Sequence, residues 1–549
     1  MKQKAPRWWQ TGVVYEIYPR SFADADGDGV GDLAGIASRL DYLAWLGVDA
    51  IWIAPFYPSP MADFGYDVSD YTDVHPLFGS LVDFDALLAA AHEHGLRVLV
   101  DYVPNHTSDQ HPWFVESRSS RDNPKRDWYV WRDPGPNGGP PNNWLSMFAG
   151  PSWEWDPATE QYYLHTFLSE QPDLNWRNPE TRAAMFDVAR LWLDRGVDGF
   201  RIDVAPMVMK DPQLRDNPPN PSSAEWARLG EWGTQLHLHD HAHPDMHELY
   251  RDFRRLLESY PGERVSIGEL HHPDYDVWAA YYGERQDEIH VPFNFHLTYS
   301  AWTADAVRAA VEGVEGVLPS GAWASWVLGN HDQPRFGSPS RAGRDQAKVG
   351  MLLLLTLRGT PTIYYGEEIG MVDVPVSLED SRDPVERREP GRGRDPERSP
   401  MQWDASPNAG FTTPDATPWL PLAPDAGTVN VAGEAEDPDS ILTLTRRLIQ
   451  LRREHPVLHA GDFERFGLTP EGTFAFRRIS DAGRLTIALN LTGGSRSVPD
   501  AGPGRVLIGT HRDRDGAAVD AMVELRPNEA LVIEDRSPDV SGRGVRERG

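Results

Sequence analysis

The chain has no cysteine among its 549 residues. That removes disulfides, thiolate nucleophiles and cysteine metal ligands, and it fits a reducing compartment. A membrane-length apolar run is also missing: the stretch 351–357 (MLLLLTL) falls far short of the roughly 20 residues a span requires. The opening residues, MKQKAPRWWQTGVVYEIYP, lack the apolar core and small-residue cleavage site of a secretion signal. Basic residues are few against acidic ones, 53 to 83, for a formal charge of −30. Phosphate contacts are made by Lys and Arg, so neither nucleic acid nor an anionic membrane is an expected partner. The expected setting is cytoplasmic, as a monomer or homodimer.

The length exceeds what one hydrophobic core serves, and 48 Gly with 47 Pro imply many loops. Short apolar runs alternate with longer amphipathic ones. Strands are expected at 13–18, 50–54, 97–103, 197–202, 265–270, 288–293, 323–328 and 360–365, and helices at 33–46, 84–94, 179–195 and 248–259. Such alternation means βαβ units and a parallel sheet, and eight strands close a (β/α)8 TIM barrel. The connection after the third strand is too long for an ordinary loop and is rich in aromatics, Pro and Gly, so it reads as an inserted domain. The stretch 372–430 reads as a long loop held by fixed contacts. Past 456 the pattern becomes period-two runs and turns, an antiparallel β-sandwich. The expected division is 1–104 and 176–456 for the barrel, 105–175 for the insertion and 457–549 for the C-terminal domain, with 537–549 frayed.

Three acids follow apolar runs directly: Asp203 in GFRIDVA, Glu269 in SIGEL and Asp332 in GNHD. At the C-terminal rim of a barrel that position marks an active site. Converging carboxylates serve either a catalytic metal or glycoside hydrolysis. A metal site would draw on more histidines than His106 and His331, so hydrolysis of a glycosidic bond is favoured. Arg201 beside Asp203 favours an ionised carboxylate there, and Glu269, with no adjacent cation in sequence, suits the protonated partner. Asp63 and Tyr66, after the second strand, are placed to meet sugar hydroxyls and a sugar face. Asp24, Asp26, Asp28 and Asp32, with the Val30 carbonyl, alternate oxygen ligands with glycines in a loop suited to Ca²⁺ or Mg²⁺; an EF-hand is excluded because its twelfth position is Gly35.

DYVPNH, GFRIDVA, IGEL and GNHD, in this order, resemble the four signature regions of the α-amylase superfamily of glycoside hydrolases. QPDLNW, MADFGYDVSDY, YYGEEIGM and RSPMQWD are similar to the α-glucosidase and oligo-1,6-glucosidase branch. The resemblance implies a retaining mechanism with Asp203 as nucleophile, Glu269 as acid/base and Asp332 as transition-state stabiliser. It also implies substrate contacts from Asp63, Tyr66, His106, Phe167, Arg201, His331 and Arg398, with Arg394 as an alternative to Arg398. A structural Ca²⁺ or Mg²⁺, no organic cofactor, small α-glucoside substrates and sugar or alcohol acceptors are expected. Val204 after the nucleophile points toward α-1,6 activity, whereas RDNPPNP at 215–221 is closer to maltose-active enzymes, so α-1,4 is favoured. A glucosyltransferase or isomerase such as a trehalose synthase shares all these residues. A transporter-ancillary scaffold would need a membrane span and tolerates loss of the acids.

Overall fold

A computed structural model of the chain describes residues 6–222, 229–467 and 469–535. Eight parallel strands form the central sheet: β1 (Val14–Ile17), β2 (Ala50–Ile53), β3 (Arg97–Tyr102), β4 (Gly199–Ile202), β5 (Val265–Gly268), β6 (Val291–Pro292), β7 (Ser325–Val327) and β8 (Thr360–Tyr364). Their order is β7-β8-β1-β2-β3-β4-β5-β6, a nearly closed barrel. The expected strand at 288–293 shortens to two residues for a local reason. Both Glu288 carboxylate oxygens are taken, by His247 at 2.7 Å and Arg251 at 2.8 Å. Pro292 has no N–H to donate to a ladder.

Every barrel strand except the start of β3 is buried throughout, as a sheet covered on both faces requires. Trp52, Leu99, Val265, Ile267, Val291 and Val327 are among the residues of one apolar cluster inside the barrel. The outer faces join the larger core under the helices. The helix expected at 33–46 is two, Leu33–Ser38 and Leu40–Leu46. They are broken at Arg39, whose N–H donates to the Ile36 carbonyl, a tighter turn. Its guanidinium lies 4.2 Å from the Trp403 ring centroid and donates to the Gly410 carbonyl at 3.1 Å.

Between β3 and the helix Pro179–Arg195, the chain forms a helix (Pro112–Ser119) and a three-stranded antiparallel sheet (Trp131–Arg132, Gln161–Leu164, Trp153–Asp156). A bridge between His106 and Asp173 brings the two ends of this segment together. The 372–430 stretch has little regular structure but is pinned to the barrel. Met401 N–H donates to the Ser21 carbonyl at 2.8 Å, Trp403 Nε1 to the Phe22 carbonyl at 2.7 Å, and Trp419 N–H to the Gly29 carbonyl at 2.9 Å.

At the C-terminus a six-stranded antiparallel sheet is backed by a two-stranded one. Period-two alternation gives it two apolar faces. Phe474, Phe476, Leu485 and Ile487 join the barrel core, while Ala475, Ala488, Leu531 and Ile533 pack with Val498 and Val523 of the small sheet. The small-sheet strands Arg496–Pro499 and Met522–Leu525 are too short for their periodicity to be read from sequence. No described helix is long and apolar enough to cross a membrane. The tail expected to fray, 537–549, lies outside the described residues.

Candidate active site

Register brings the first two acids together. Arg201 pairs with Asp101 and Ile267 across the sheet, and Ile202 pairs with Tyr102 and Gly268. One residue further on, Asp203 and Glu269 leave adjacent strand ends side by side. The Asp203 N–H donates to the Tyr102 carbonyl and the Glu269 N–H to the Ile202 carbonyl, both at 2.9 Å. The chain then turns sharply at Val204, with φ 35° and ψ 47°. A β-branched residue in this left-handed region costs on the order of 1–3 kcal/mol. Its N–H donates to Glu269 Oε2 at 2.8 Å, so the strained turn also positions the acid.

Arg201, with 2% of its side chain exposed, lies beneath the acids. Nη1 meets Asp101 Oδ1 at 2.9 Å and Asp203 Oδ1 at 2.6 Å, and Nη2 meets Glu269 Oε2 at 2.6 Å. The expectation that Glu269 stands apart from any cation is therefore corrected: adjacency across strands supplies what adjacency in sequence lacks. Burial works to raise the Glu269 carboxyl, but Arg201, then His271, outweigh it and hold it at about 2. Asp203 goes the other way, because burial outweighs Arg201 and pushes its carboxyl well above the usual range. Three carboxylates on one guanidinium cannot all be charged in a dry site. In the substrate-free arrangement Glu269, with three donors, is the better-satisfied anion.

Asp332 is held by two arginines and a histidine. Oδ1 accepts from Arg398 Nη2 at 2.8 Å and Arg394 Nη1 at 3.1 Å, and His331 Nε2 lies 3.1 Å from Oδ2. Burial opposes the charge, yet His331 and the two guanidinium groups keep the carboxyl well below its ordinary value. His331 has no exposed side-chain surface; Nδ1 meets Glu16 Oε1 at 2.6 Å and Nε2 meets the Tyr66 hydroxyl at 2.7 Å.

A cavity of about 390 Å³ opens over these groups, and Asp63, Tyr66, His106, Phe167, Asp203, Glu269 and Asp332 all line it. Arg201, His331 and Arg398 do not; they lie behind the wall and orient residues that do. The assignment of Arg398 as the sugar-capping arginine is corrected accordingly. Arg394 faces the cavity and spans Asp63 at 2.7 Å, Asp332 at 3.1 Å and Asp383 at 2.9 Å. Gln171 Nε2 ties Asp63 Oδ2 to His106 Nε2, each at 3.1 Å. Burial lowers His106 to about 4, so it is neutral at pH 7. The remaining wall is largely apolar, including Phe148, Val204, Met207, Trp232 and Val385 from one contiguous cluster. Sequence reasoning missed Asp101, Gln171, Asp383, His271 and Tyr299. Asp101 and Gln171 open the motifs DYVPNH and QPDLNW, and His271 stands two residues beyond Glu269; Asp383 and Tyr299 carried no such signal.

The cation loop survives in part. Asp24, Asp26 and Asp28 bring one carboxylate oxygen each within 4.8 Å of one another. Asp32 lies outside this group of three. Its Oδ1 caps the following helix through the Gly35 N–H at 2.6 Å, and Oδ2 accepts from Ala25 N–H at 2.8 Å. Asp24 is held in the same way, by the Gly27 N–H at 2.7 Å and the Gly29 N–H at 2.8 Å, so these bonds do not set Asp32 apart as a ligand. Gly29, at φ 95°, is required: a Cβ there would lie 2.0 Å from the Thr417 carbonyl oxygen.

Comparison with known proteins places this geometry. The family model described as alpha amylase, catalytic domain, matches residues 16–461. A probable alpha-glucosidase of Rhizobium meliloti is 45% identical over 83% of this chain and 84% of its own. An oligo-1,6-glucosidase of Parageobacillus thermoglucosidasius is 38% identical over 97% and 99%. Among solved structures, the alpha-glucosyl transfer enzyme XgtA superposes with a TM-score of 0.90 at 40% identity, covering 97% of this chain and all of that one (100%). The trehalulose synthase MutB of Pseudomonas mesoacidophila gives 0.88 at 36% identity, over 97% and 100%.

Proposed function

Since the chain belongs to the α-amylase family of glycoside hydrolases, we propose that it is an exo-acting, retaining α-glucosidase. It releases glucose from the non-reducing end of short α-glucosides and also passes glucose to sugar or alcohol acceptors. The observation carrying this reading is that Asp203 and Glu269 sit on the two terminal nitrogens of the Arg201 guanidinium, each at 2.6 Å. Carboxylates bridged by one guanidinium are held close together, which supports the short separation of retaining enzymes, about 5–5.5 Å, over the water-sized gap of about 6.5–9.5 Å that inversion needs.

In the reaction, Asp203 attacks the anomeric carbon and Glu269 protonates the departing oxygen, then deprotonates the water that releases glucose. Because Glu269 holds the charge before substrate arrives, binding must displace the proton from Asp203 toward the acid. Desolvation by the incoming sugar and the appearance of a basic glycosidic oxygen near Glu269 favour that shift. Asp332, held ionised, accepts from hydroxyls of the flattened sugar. Asp63 and Arg394 close the glucose end of the pocket and restrict it to chain ends. Segment 105–175 and the apolar wall shape the acceptor side, which favours acceptors other than water. We assign α-1,4 linkages as preferred, with α-1,6 cleavage as the second reading because Val204 lines the cavity.

The Asp24, Asp26 and Asp28 carboxylates, together with the Val30 carbonyl, would hold a Ca²⁺ or Mg²⁺. The convergence of three like charges within 4.8 Å fits a hard cation. Its part is to fasten the β1 loop to the 411–419 strap, away from the chemistry.

The test is hydrolysis of p-nitrophenyl α-glucoside followed by NMR, with α-glucose as the first product. Asp203→Ala should lower kcat by at least about 10⁴-fold. First release of β-glucose, or an unaffected Asp203→Ala, rejects the reading. Maltose, isomaltose, sucrose and trehalose compared side by side decide linkage and transfer.

A further inference from the structure

The two oxygens of Glu269 are not equivalent. Oε2 faces two fixed donors, Arg201 Nη2 at 2.6 Å and the Val204 N–H at 2.8 Å. A proton cannot sit on an oxygen that already meets two donors at this range. The acid proton therefore belongs on Oε1, and Oε1 lies 2.8 Å from His271 Nε2. The other ring nitrogen, Nδ1, is 2.5 Å from the Tyr299 hydroxyl. The imidazole is stacked on Phe295, with centroids 4.1 Å apart and planes at 21°, and it lines the cavity with 18% of its side chain exposed.

We propose that His271 is a positioning residue that shares the acid proton of Glu269 and, with Tyr299, switches the pair between a loaded and a spent state. This rests on Glu269 being the acid/base. In the loaded state Glu269 Oε1–H donates to Nε2, and Nδ1–H donates to the Tyr299 oxygen. The proton passes from Oε1 to the glycosidic oxygen as that oxygen's bond to the anomeric carbon breaks and the bond to Asp203 forms. In the spent state Nε2–H donates to the Glu269 carboxylate and the Tyr299 hydroxyl donates to Nδ1. Passing between them gives the Nδ1 proton to cavity water, takes one from water at Nε2 and turns the hydroxyl, so that both ring nitrogens keep a hydrogen-bond partner in either state. When water displaces Asp203 from the sugar, one of its protons reloads Oε1.

The charged and titratable groups around this pair are Arg201 and Asp203 on β4, Asp101 behind Arg201 on β3, and Asp332 beyond β7. His241 and His272 lie on the far side, stacked with centroids 5.5 Å apart. Arg201 and then His271 favour the ionised form of Glu269 against burial, so the imidazole helps to set the pH at which the acid is spent. Without the imidazole, of these two only Arg201 draws on the Glu269 proton, and the acid stays loaded to higher pH.

The experiment measures kcat/KM against pH for the full chain, with maltose or isomaltose (whichever is cleaved) and with p-nitrophenyl α-glucoside. In His271→Phe the alkaline limb on the disaccharide should move up by about one pH unit, a roughly tenfold change on that side. His271→Gln can still donate a hydrogen bond to Oε1 and should leave the limb close to that of the unaltered chain. The aryl glucoside, whose leaving group needs little protonation, should respond less. An alkaline limb that stays in place in His271→Phe overturns the proposal, even if overall rates fall. If Glu269→Gln loses the disaccharide and the aryl glucoside equally, the acid/base reading fails, and this inference with it.

Discussion

Two groups of carboxylates lie on the same side of this chain's charge balance and are handled in opposite ways. At the barrel rim, Asp203 and Glu269 are buried and Asp332 is partly so, and fixed guanidinium groups offset all three. In the β1 loop, Asp26 and Asp28 are exposed or nearly so, and their nearest partners are backbone N–H groups of their own loop. Burial makes each charge at the rim depend strongly on its neighbours, which is what proton transfer requires. Exposure in the loop leaves the carboxylates in contact with water and open to an ion. The same residue type becomes reactive or structural according to what surrounds it.

The sharpest way to break this contrast is to remove the cation on one side of it. Arg201→Met should leave Asp101, Asp203 and Glu269 buried without an offset charge. A stability loss of about 3–5 kcal/mol is expected in urea titration. A loss below 1 kcal/mol would mean that the three acids do not depend on it.

A buried acid that makes no salt bridge among the described residues sharpens the comparison. Glu367, just past β8, is pushed up to about 8, chiefly by burial, and its Oε1 has no hydrogen-bond partner. Its folded pKa lies above the unfolded value of about 4.3. Its contribution to stability is thus complete below about pH 4.3 and is lost as pH rises through about 8. Glu367→Gln should flatten the decline in stability across that window, read from thermal midpoints. A slope identical to that of the unaltered chain would show that Glu367 does not hold its proton.

The smallest effect belongs to the loop. Chelator should lower the thermal midpoint by a few degrees, restored by Ca²⁺ or Mg²⁺, with kcat/KM at 25 °C unchanged. Asp26→Asn should abolish the response. A chelator that stops catalysis without moving the midpoint would assign the ion to the chemistry instead.

Much of this was legible before any coordinate. The strand rhythm placed Asp203, Glu269 and Asp332 at strand ends because burial on both faces leaves near-continuous apolar runs whose ends are easily seen. The sixth strand was misjudged in length because His247 and Arg251, which take the Glu288 carboxylate, lie far from it in sequence, although the missing Pro292 N–H could be read there. Choosing between Arg394 and Arg398 failed for a related reason. Both lie in an irregular segment without periodicity, and only the folded strap shows that Arg394 faces the cavity while Arg398 sits behind Asp332. Asp32 fits a ligand loop and a helix cap equally well in sequence; only the structure shows the cap, through the Gly35 N–H.

By itself, then, the sequence determined the barrel, the order of its parts and the identity of the three rim acids, since periodicity and local residue type carry that information. Which acid holds the proton was decided only in three dimensions. One guanidinium is divided among three strands, and a histidine reaches back two residues to the acid, and electrostatic energy in a dry site depends on distance through space, to which order along the chain is no guide.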